Sequence, residues 1–207
     1  MYDPVRRTAR FRLTGHLSLG FAVLASAVAA GCGAVASAQP AFSGTPVPGT
    51  PAAPDFTLVD QSGSAVALSS QRGHPVLVTF LYTNCPDVCP LIAQNLNTAL
   101  RDLGPDGAGV RVLAVSVDPA GDTPANVRKF VQRHRLVESF RYLTGRRSDL
   151  QRVWAAYRIG VENSPQSSFT THSAATYLID GAGHERVLYT SRAVPADFEH
   201  DIRLLER

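Results

Sequence analysis

The stretch over residues 76–91 constrains the fold of this chain more than any other. It opens as an apolar, β-rich run, Val76-Leu77-Val78-Thr79-Phe80-Leu81-Tyr82, and breaks into Thr83-Asn84-Cys85-Pro86-Asp87-Val88-Cys89-Pro90-Leu91. A run of that composition bounded by turn formers is a buried strand. The residues after Cys89 have helical spacing, so the two cysteines lie where a strand gives way to a helix. That junction is where α/β proteins put their chemistry.

The chain around it reads as alternating strands and helices. Residues 56–59 and 65–68, joined by Asp60-Gln61-Ser62-Gly63, predict a short hairpin. After Pro90, apolar residues at Ile92, Leu96, Ala99, Leu100 and Leu103 predict a helix stopped by Gly104. A second buried strand is expected over 110–117, then a helix capped by Thr123 with Pro124 as its first residue. Residues 140–143 read as another strand, and 149–158 as a helix that buries Leu150, Val153, Trp154 and Tyr157 and closes at Gly160. Residues 162–171 are polar and aperiodic and read as a loop. Residues 174–179 and 186–190 flank Asp180-Gly181-Ala182-Gly183 as an antiparallel hairpin, and Pro195 opens a last helix with Phe198, Ile202 and Leu205 inward. The expected fold class is α/β: a thioredoxin-like fold with a central mixed sheet, flanking helices and an N-terminal hairpin.

The first 38 residues read differently. Arg6, Arg7, Arg10 and Arg12 precede an apolar run at 17–30 and a small-residue stretch at 31–38, which is the layout of an export signal. That run is shorter than the roughly 20 residues a spanning helix needs. Two processing sites compete: cleavage after Ala38, behind Ala36-Ser37-Ala38, or lipidation of Cys32 in Ala29-Ala30-Gly31-Cys32. Arg6-Arg7 suggests the twin-arginine route, but its surroundings fit that pattern poorly. Of the 20 basic and 17 acidic residues, the four leader arginines and Asp3 account for the imbalance, leaving 16 of each. The body is neutral and gives no case for nucleic-acid binding. Residues 39–53, rich in Pro, Gly, Ala, Ser and Thr, read as a tether, and 54–207 as the domain.

With Cys32 removed or lipidated, the mature domain keeps Cys85 and Cys89. In an exported protein such a pair is oxidised unless its chemistry requires otherwise, and a structural bridge over so short a loop constrains the unfolded chain little. Pro90 lacks an N–H and disfavours helical backbone at Cys89, so the helix is expected to start at Pro90 with both sulfurs facing its free N–H groups. That placement lowers thiol pKa and favours thiolate. His172 sits just before the strand at 174–179. If that strand runs antiparallel to the central one, its start lies beside the cysteine loop. Two thiols and an imidazole form a soft three-coordinate site suited to copper, Cu(I) above all, whereas structural zinc wants four protein ligands. Spacing leaves His172 open between ligand and structural histidine. His74, His134, His184 and His200 read as structural or surface residues in turns or on helix faces, and Asp87 either as a carboxylate that tunes the field of the cysteines or simply as a first-turn carboxylate.

At these residues the sequence resembles the Sco/SenC family of copper chaperones. The likeness lies in Phe80-Leu81-Tyr82-Thr83-Asn84-Cys85-Pro86-Asp87-Val88-Cys89-Pro90, in Ser116-Val117-Asp118-Pro119 with Asp122-Thr123-Pro124, and in His172-Ser173 followed by Tyr177-Leu178-Ile179-Asp180. It implies a thioredoxin-like domain on a membrane tether that binds copper, as Cu(I), Cu(II) or both, through Cys85, Cys89 and His172. The implied partner is the copper-site subunit of cytochrome c oxidase, whose binuclear centre such proteins assemble as metal donor, thiol reductant or both. Another copper chaperone or a thioredoxin-like reductant is a further implied partner. The implied location is the outer face of the cytoplasmic membrane or the periplasm. Thr171 stands where the family often has an acid.

Two other readings use the same cysteines. An extracytoplasmic thiol–disulfide oxidoreductase would use Cys85 and Cys89 as its redox pair, but the usual spacing is C-x-x-C and Thr171-His172 replaces the expected proline. A peroxiredoxin shares the Pro54-Asp55-Phe56 opening, but its cysteine follows a threonine by three positions, and Thr83 precedes Cys85 by two.

Overall fold

The structure is a computed structural model and describes residues 41–163 and 170–206. In chain order the elements are β1 (Thr45–Pro46), β2 (Thr57–Val59), β3 (Ala65–Ala67), β4 (Val76–Leu81), α1 (Val88–Asp102), β5 (Arg111–Ser116), α2 (Pro124–Arg133) and β6 (Phe140–Leu143). After these come α3 (Arg147–Ala156), β7 (Val161–Asn163), β8 (Thr170–His172), β9 (Ala175–Ile179), β10 (Glu185–Thr190) and α4 (Pro195–Leu205). The leader, with Cys32 and both processing sites, lies outside the described residues.

Six strands form one mixed sheet in the order β1-β10-β9-β4-β5-β6. β4, β5 and β6 run parallel, Phe80 against Val115 and Val115 against Leu143, so the connections must cross over through helices. β9 runs antiparallel to β4, with Thr79 against Thr176, and the hairpin through Asp180–Gly183 returns β10 antiparallel to β9. Every residue of β4 is buried, which fits a central strand covered on both faces.

Side-chain alternation assigns the helices to faces. Tyr189 stacks on Phe198 of α4 at 4.6 Å, while Tyr177 and Phe80 meet Tyr157, just past α3, at 5.3 and 5.6 Å. Tyr177 pairs with Leu188, so Tyr189 points to the opposite face. α3 therefore covers one face, with Phe56 beside the β2–β3 hairpin at 6.1 Å from Tyr157. α4 covers the other and packs against α1. The result is a thioredoxin-like fold. Each fully buried Leu or Phe in the sandwich stabilises it by about 1.5–3 kcal/mol.

Several expectations are corrected. The second part of the expected tether is laid on the domain: β1 pairs with β10, Ser43 and Gly44 donate backbone N–H groups to Asp201, and Ala53 N–H reaches the Gly183 carbonyl. Proline-rich composition hid this, because an edge strand tolerates Pro where no ladder bond is asked of it. The loop at 162–171 holds two three-residue strands, with Val161 opposite His172. Pairing there is carried by backbone and leaves no apolar alternation to read. α3 closes at Arg158, whose φ is +57°, instead of at Gly160. The helix α1 ends as expected, with Gly104 at φ +56°. Among the described residues no helix is long and apolar enough to cross a membrane.

Candidate metal centre

Strand β4 delivers the chain to the cysteines at the C-terminal edge of the sheet. Cys85 N–H donates to the Tyr82 carbonyl at 3.3 Å, closing a turn directly after the strand. Helix α1 begins at Val88, two residues before the expected Pro90. The first-turn N–H groups of a helix have no intrahelical partner, so proline is tolerated at the third position as well as the first. Cys89 is thus inside the helix. Asp87 occupies the cap position but makes no side-chain capping bond. Instead the Cys89 N–H donates to the sulfur of Cys85 at 3.4 Å.

The two thiols therefore differ. Cys85 takes a helix N–H, as expected for a sulfur at the positive end of the dipole. Cys89 is wholly buried, and burial pushes its thiol up, reinforced by Cys85 and Asp122 and only partly opposed by a backbone bond near Tyr82. The expectation of thiolate at both positions is corrected for Cys89: desolvation outweighs the helix terminus there. Both cysteines are free thiols.

His172 ends β8 and enters the site from the antiparallel side. Its Nε2 lies 3.6 Å from Cys89 Sγ. Its Nδ1 is 3.0 Å from the Ser173 carbonyl. A carbonyl only accepts, so Nδ1 carries the proton and Nε2 presents a lone pair to the sulfur. Burial holds the imidazole below its ordinary pKa against the opposing effect of the Ser173 bond. The Tyr82 ring meets its edge at 5.9 Å between centroids. Orientation by a backbone carbonyl is how ligating histidines are usually held, and here Ser173 supplies it without an acid at position 171.

The donor set suits a soft ion: two buried thiols and one half-buried imidazole, all at the junction of β4, α1 and β8. Among the described residues no three His, Cys, Asp or Glu side chains already stand at metal-binding separation. The Cys89–His172 pair is in contact, and Cys85 Sγ is engaged with the Cys89 amide.

The other histidines are elsewhere. His134 Nδ1 lies 3.2 Å from Gln94 with its ring on Phe130, His184 Nδ1 is 3.6 Å from Asp180, and His200 reaches the Ala41 carbonyl at 3.1 Å. A cavity of about 570 Å³ opens between residues 55–57 and α3, where Asp149 takes Arg146 at 2.8 Å and Arg152 at 2.6 Å and Asp55 accepts from the Phe56 and Ser69 N–H groups. Sequence reading gave Asp122 no role beyond its motif, yet its carboxylate lies beneath the cysteine loop, accepting from Thr83 N–H at 2.8 Å. The signal was available as an acid shortly after a buried strand end.

The SCO1/SenC family model matches residues 45–205. This chain belongs to the SCO1/SenC family. Within that family, an SCO2-like protein of Rickettsia prowazekii is 29% identical over 133 residues, 62% of this chain and 64% of that protein. The chain thus spans just under two thirds of such relatives. Among solved structures, copper-bound ScoI of Bradyrhizobium japonicum superposes with a TM-score of 0.67 at 30% identity, covering 74% of this chain and 99% of that one. Apo Sco1 of Thermus thermophilus gives 0.71 at 27%, covering 81% and 99%. The SCO1/SenC match embraces β1, so the Pro-rich edge strand belongs with the domain.

Proposed function

We propose that this SCO1/SenC protein binds copper through Cys85, Cys89 and His172. It delivers the metal to the binuclear copper site of cytochrome c oxidase during assembly, or keeps the thiols of that site reduced. The observation that carries the reading is the 3.6 Å approach of an unprotonated Nε2 to a buried thiol. A structure 30% identical to this chain is of a Sco protein with copper bound, which supports copper as the cargo. Partner and cell location come from family resemblance: the copper-site subunit of the oxidase, approached from the outer face of the membrane by a domain exported through residues 1–38. Lipidation at Cys32 and cleavage after Ala38 give mature N-termini of different mass, which mass spectrometry separates.

Copper titration of residues 39–207, reduced beforehand and freed of reductant under anaerobic conditions, tests the site. One equivalent is expected to bind, and the Cu(II) form to show intense sulfur-to-copper charge-transfer absorption that Cys85→Ser and Cys89→Ser each abolish. Binding unaffected by either serine would end the proposal.

A second reading, disulfide reduction, has one observation in its favour: the helix N–H aimed at Cys85 Sγ. In that chemistry Cys85 and Cys89 each lose a proton and together two electrons to a partner disulfide, which becomes two thiols. Turnover of a disulfide substrate by copper-free protein, with no measurable copper affinity, would favour it.

A further inference from the structure

The loop from Thr83 to Asp87, which carries Cys85, belongs to no strand or helix, yet one ligand of the proposed centre depends on where it lies. We infer that Asp122 is the positioning residue for that loop. Its carboxylate is 3% exposed and takes donors from three places: Thr83 N–H on Oδ1 at 2.8 Å, and Ser116 Oγ and Tyr142 OH on Oδ2 at 2.6 and 2.9 Å. These are the exit of β4, the last residue of β5 and the middle of β6. Burial raises the Asp122 carboxyl above its ordinary range, and donors of this number and closeness offset part of that desolvation cost.

The carboxylate is itself held firmly. Asp122 N–H returns to the Asp118 carbonyl at 2.8 Å, Gly121 N–H to Asp118 Oδ1 at 3.0 Å, and Asp118 N–H to Ser116 Oγ at 3.2 Å. The next residue, Thr123, caps α2 by accepting from Asn126 N–H at 3.3 Å. The same turn meets the loop a second time, because a Cβ on Gly121 would collide with the Asp118 carboxylate and stand 3.1 Å from Asn84 Nδ2. A side chain at position 121 would force the Asp118 carboxylate to shift. The stretch from Ser116 to Thr123 is a seat for the cysteine loop.

The effect is selective among the three sulfur and nitrogen donors. Cys89 is held by α1 and His172 by β8, neither of which rests on Asp122, whereas Cys85 follows Thr83 by two residues. Loss of the Asp122–Thr83 bond leaves Cys85 only its Tyr82 and Cys89 bonds, which loosens it, and leaves the Cys89–His172 contact standing. The consequence for copper rests on the function proposed above, but the positioning itself is measurable on the copper-free protein.

The test compares Asp122→Ala and Asp122→Asn with Ser116→Ala and Tyr142→Phe in the reduced domain, residues 39–207, which contains the whole described core. Amide exchange at Thr83, alkylation rates of Cys85 and Cys89, and Tm are read on each. Asp122→Ala is expected to speed Thr83 exchange and Cys85 alkylation roughly ten- to hundredfold, the scale of a lost charge-assisted bond, with a smaller change at Cys89. Asp122→Asn keeps an acceptor for Thr83 and is expected to stay near the parent. Tyr142→Phe removes only an Oδ2 donor and Ser116→Ala also removes the acceptor of Asp118 N–H, so both lower Tm, yet neither touches Oδ1 and Thr83 exchange is expected to stay within about twofold. Changes that simply follow Tm across all four variants overturn the inference. So does an unprotected Thr83 amide in the folded parent, a measurement that needs no variant to fold. A parent that binds no copper defeats the functional proposal and leaves this test intact.

Discussion

His172 Nε2 and Cys89 Sγ stand 3.6 Å apart although 83 residues separate them in sequence. The sheet brings them together: β9 runs antiparallel to β4, so the segment before β9 begins where β4 ends. One residue from the end of β8, just before the late hairpin, thereby meets a pair from the early parallel half. The Nδ1 bond to Ser173 fixes which nitrogen is free.

Replacing that imidazole isolates its contribution. His172→Ala leaves both thiols and removes the nitrogen donor, so Cu(I) affinity is expected to fall at least about tenfold, with a larger loss for Cu(II). His184→Ala, engaged with Asp180 at 3.6 Å, serves as control and is expected to bind like the parent. Competition against a chromophoric copper chelator reads both. Equal affinities in the two variants would remove His172 from the site.

Metal uptake should depend on pH with a definite sign. Burial raises the Cys89 thiol above its ordinary value of 9.0, so at neutral pH copper must displace its proton. Affinity therefore rises with pH, by about tenfold per unit for each proton displaced. Burial lowers His172, so the imidazole does not compete for protons near neutrality and begins to only below its ordinary range. Titrations from pH 6 to 8.5, with proton release measured by calorimetry in two buffers, check the slope. A flat profile means the thiols bind metal already ionised.

Trp154 ties α3 to the site's foundation. Its Nε1–H donates to the Ser116 carbonyl at 2.9 Å, and Ser116 in turn bonds Asp122. Trp154→Phe leaves a buried carbonyl without this donor and is expected to cost about 1–3 kcal/mol. Chemical denaturation measures it. A loss below ~0.5 kcal/mol would show that water takes over the carbonyl.

Much of this was legible in the residues. The β4 run, the Thr123–Pro124 helix start and the Asp180–Gly183 hairpin each carry a local signal, and local signals survive into the fold. The site was legible as far as topology could be guessed, which is why His172 could be weighed against four other histidines. What escaped reading depends on tertiary context. Cys89 sits at a helix N-terminus, which favours thiolate, but its burial wins, and burial is not written in the spacing. Pro46 looks like linker until β10 offers it an edge. Asp122 is only one letter of a motif until β5 and β6 are known to point Ser116 and Tyr142 at it.

Asp60 predicts how the domain responds to acid. It lies in the β2–β3 turn, and its Oδ1 accepts from Ser62 N–H at 2.9 Å, Ser62 Oγ at 2.6 Å and Ser64 N–H at 3.0 Å. Its Oδ2 pairs with Arg141 of β6 at 2.6 Å, which joins the hairpin to the edge of the sheet. Burial works to raise this carboxyl, but the Ser62, Ser64 and Arg141 bonds outweigh it and hold it below the ordinary 3.8. A depressed folded-state pKa stabilises the fold above the unfolded value and loses that contribution as pH falls through the folded one. Asp60→Asn keeps the shape, discards the charge, and is expected to cost about 1–3 kcal/mol at pH 7. As pH falls through the depressed folded-state value, the parent's own carboxyl is protonated, so the gap between the two stabilities should narrow as pH drops below the unfolded value. Denaturation curves of both proteins at pH 7, 5 and 3 follow the gap. If it stays constant down to pH 3, the charge of Asp60 is not what joins the hairpin to β6.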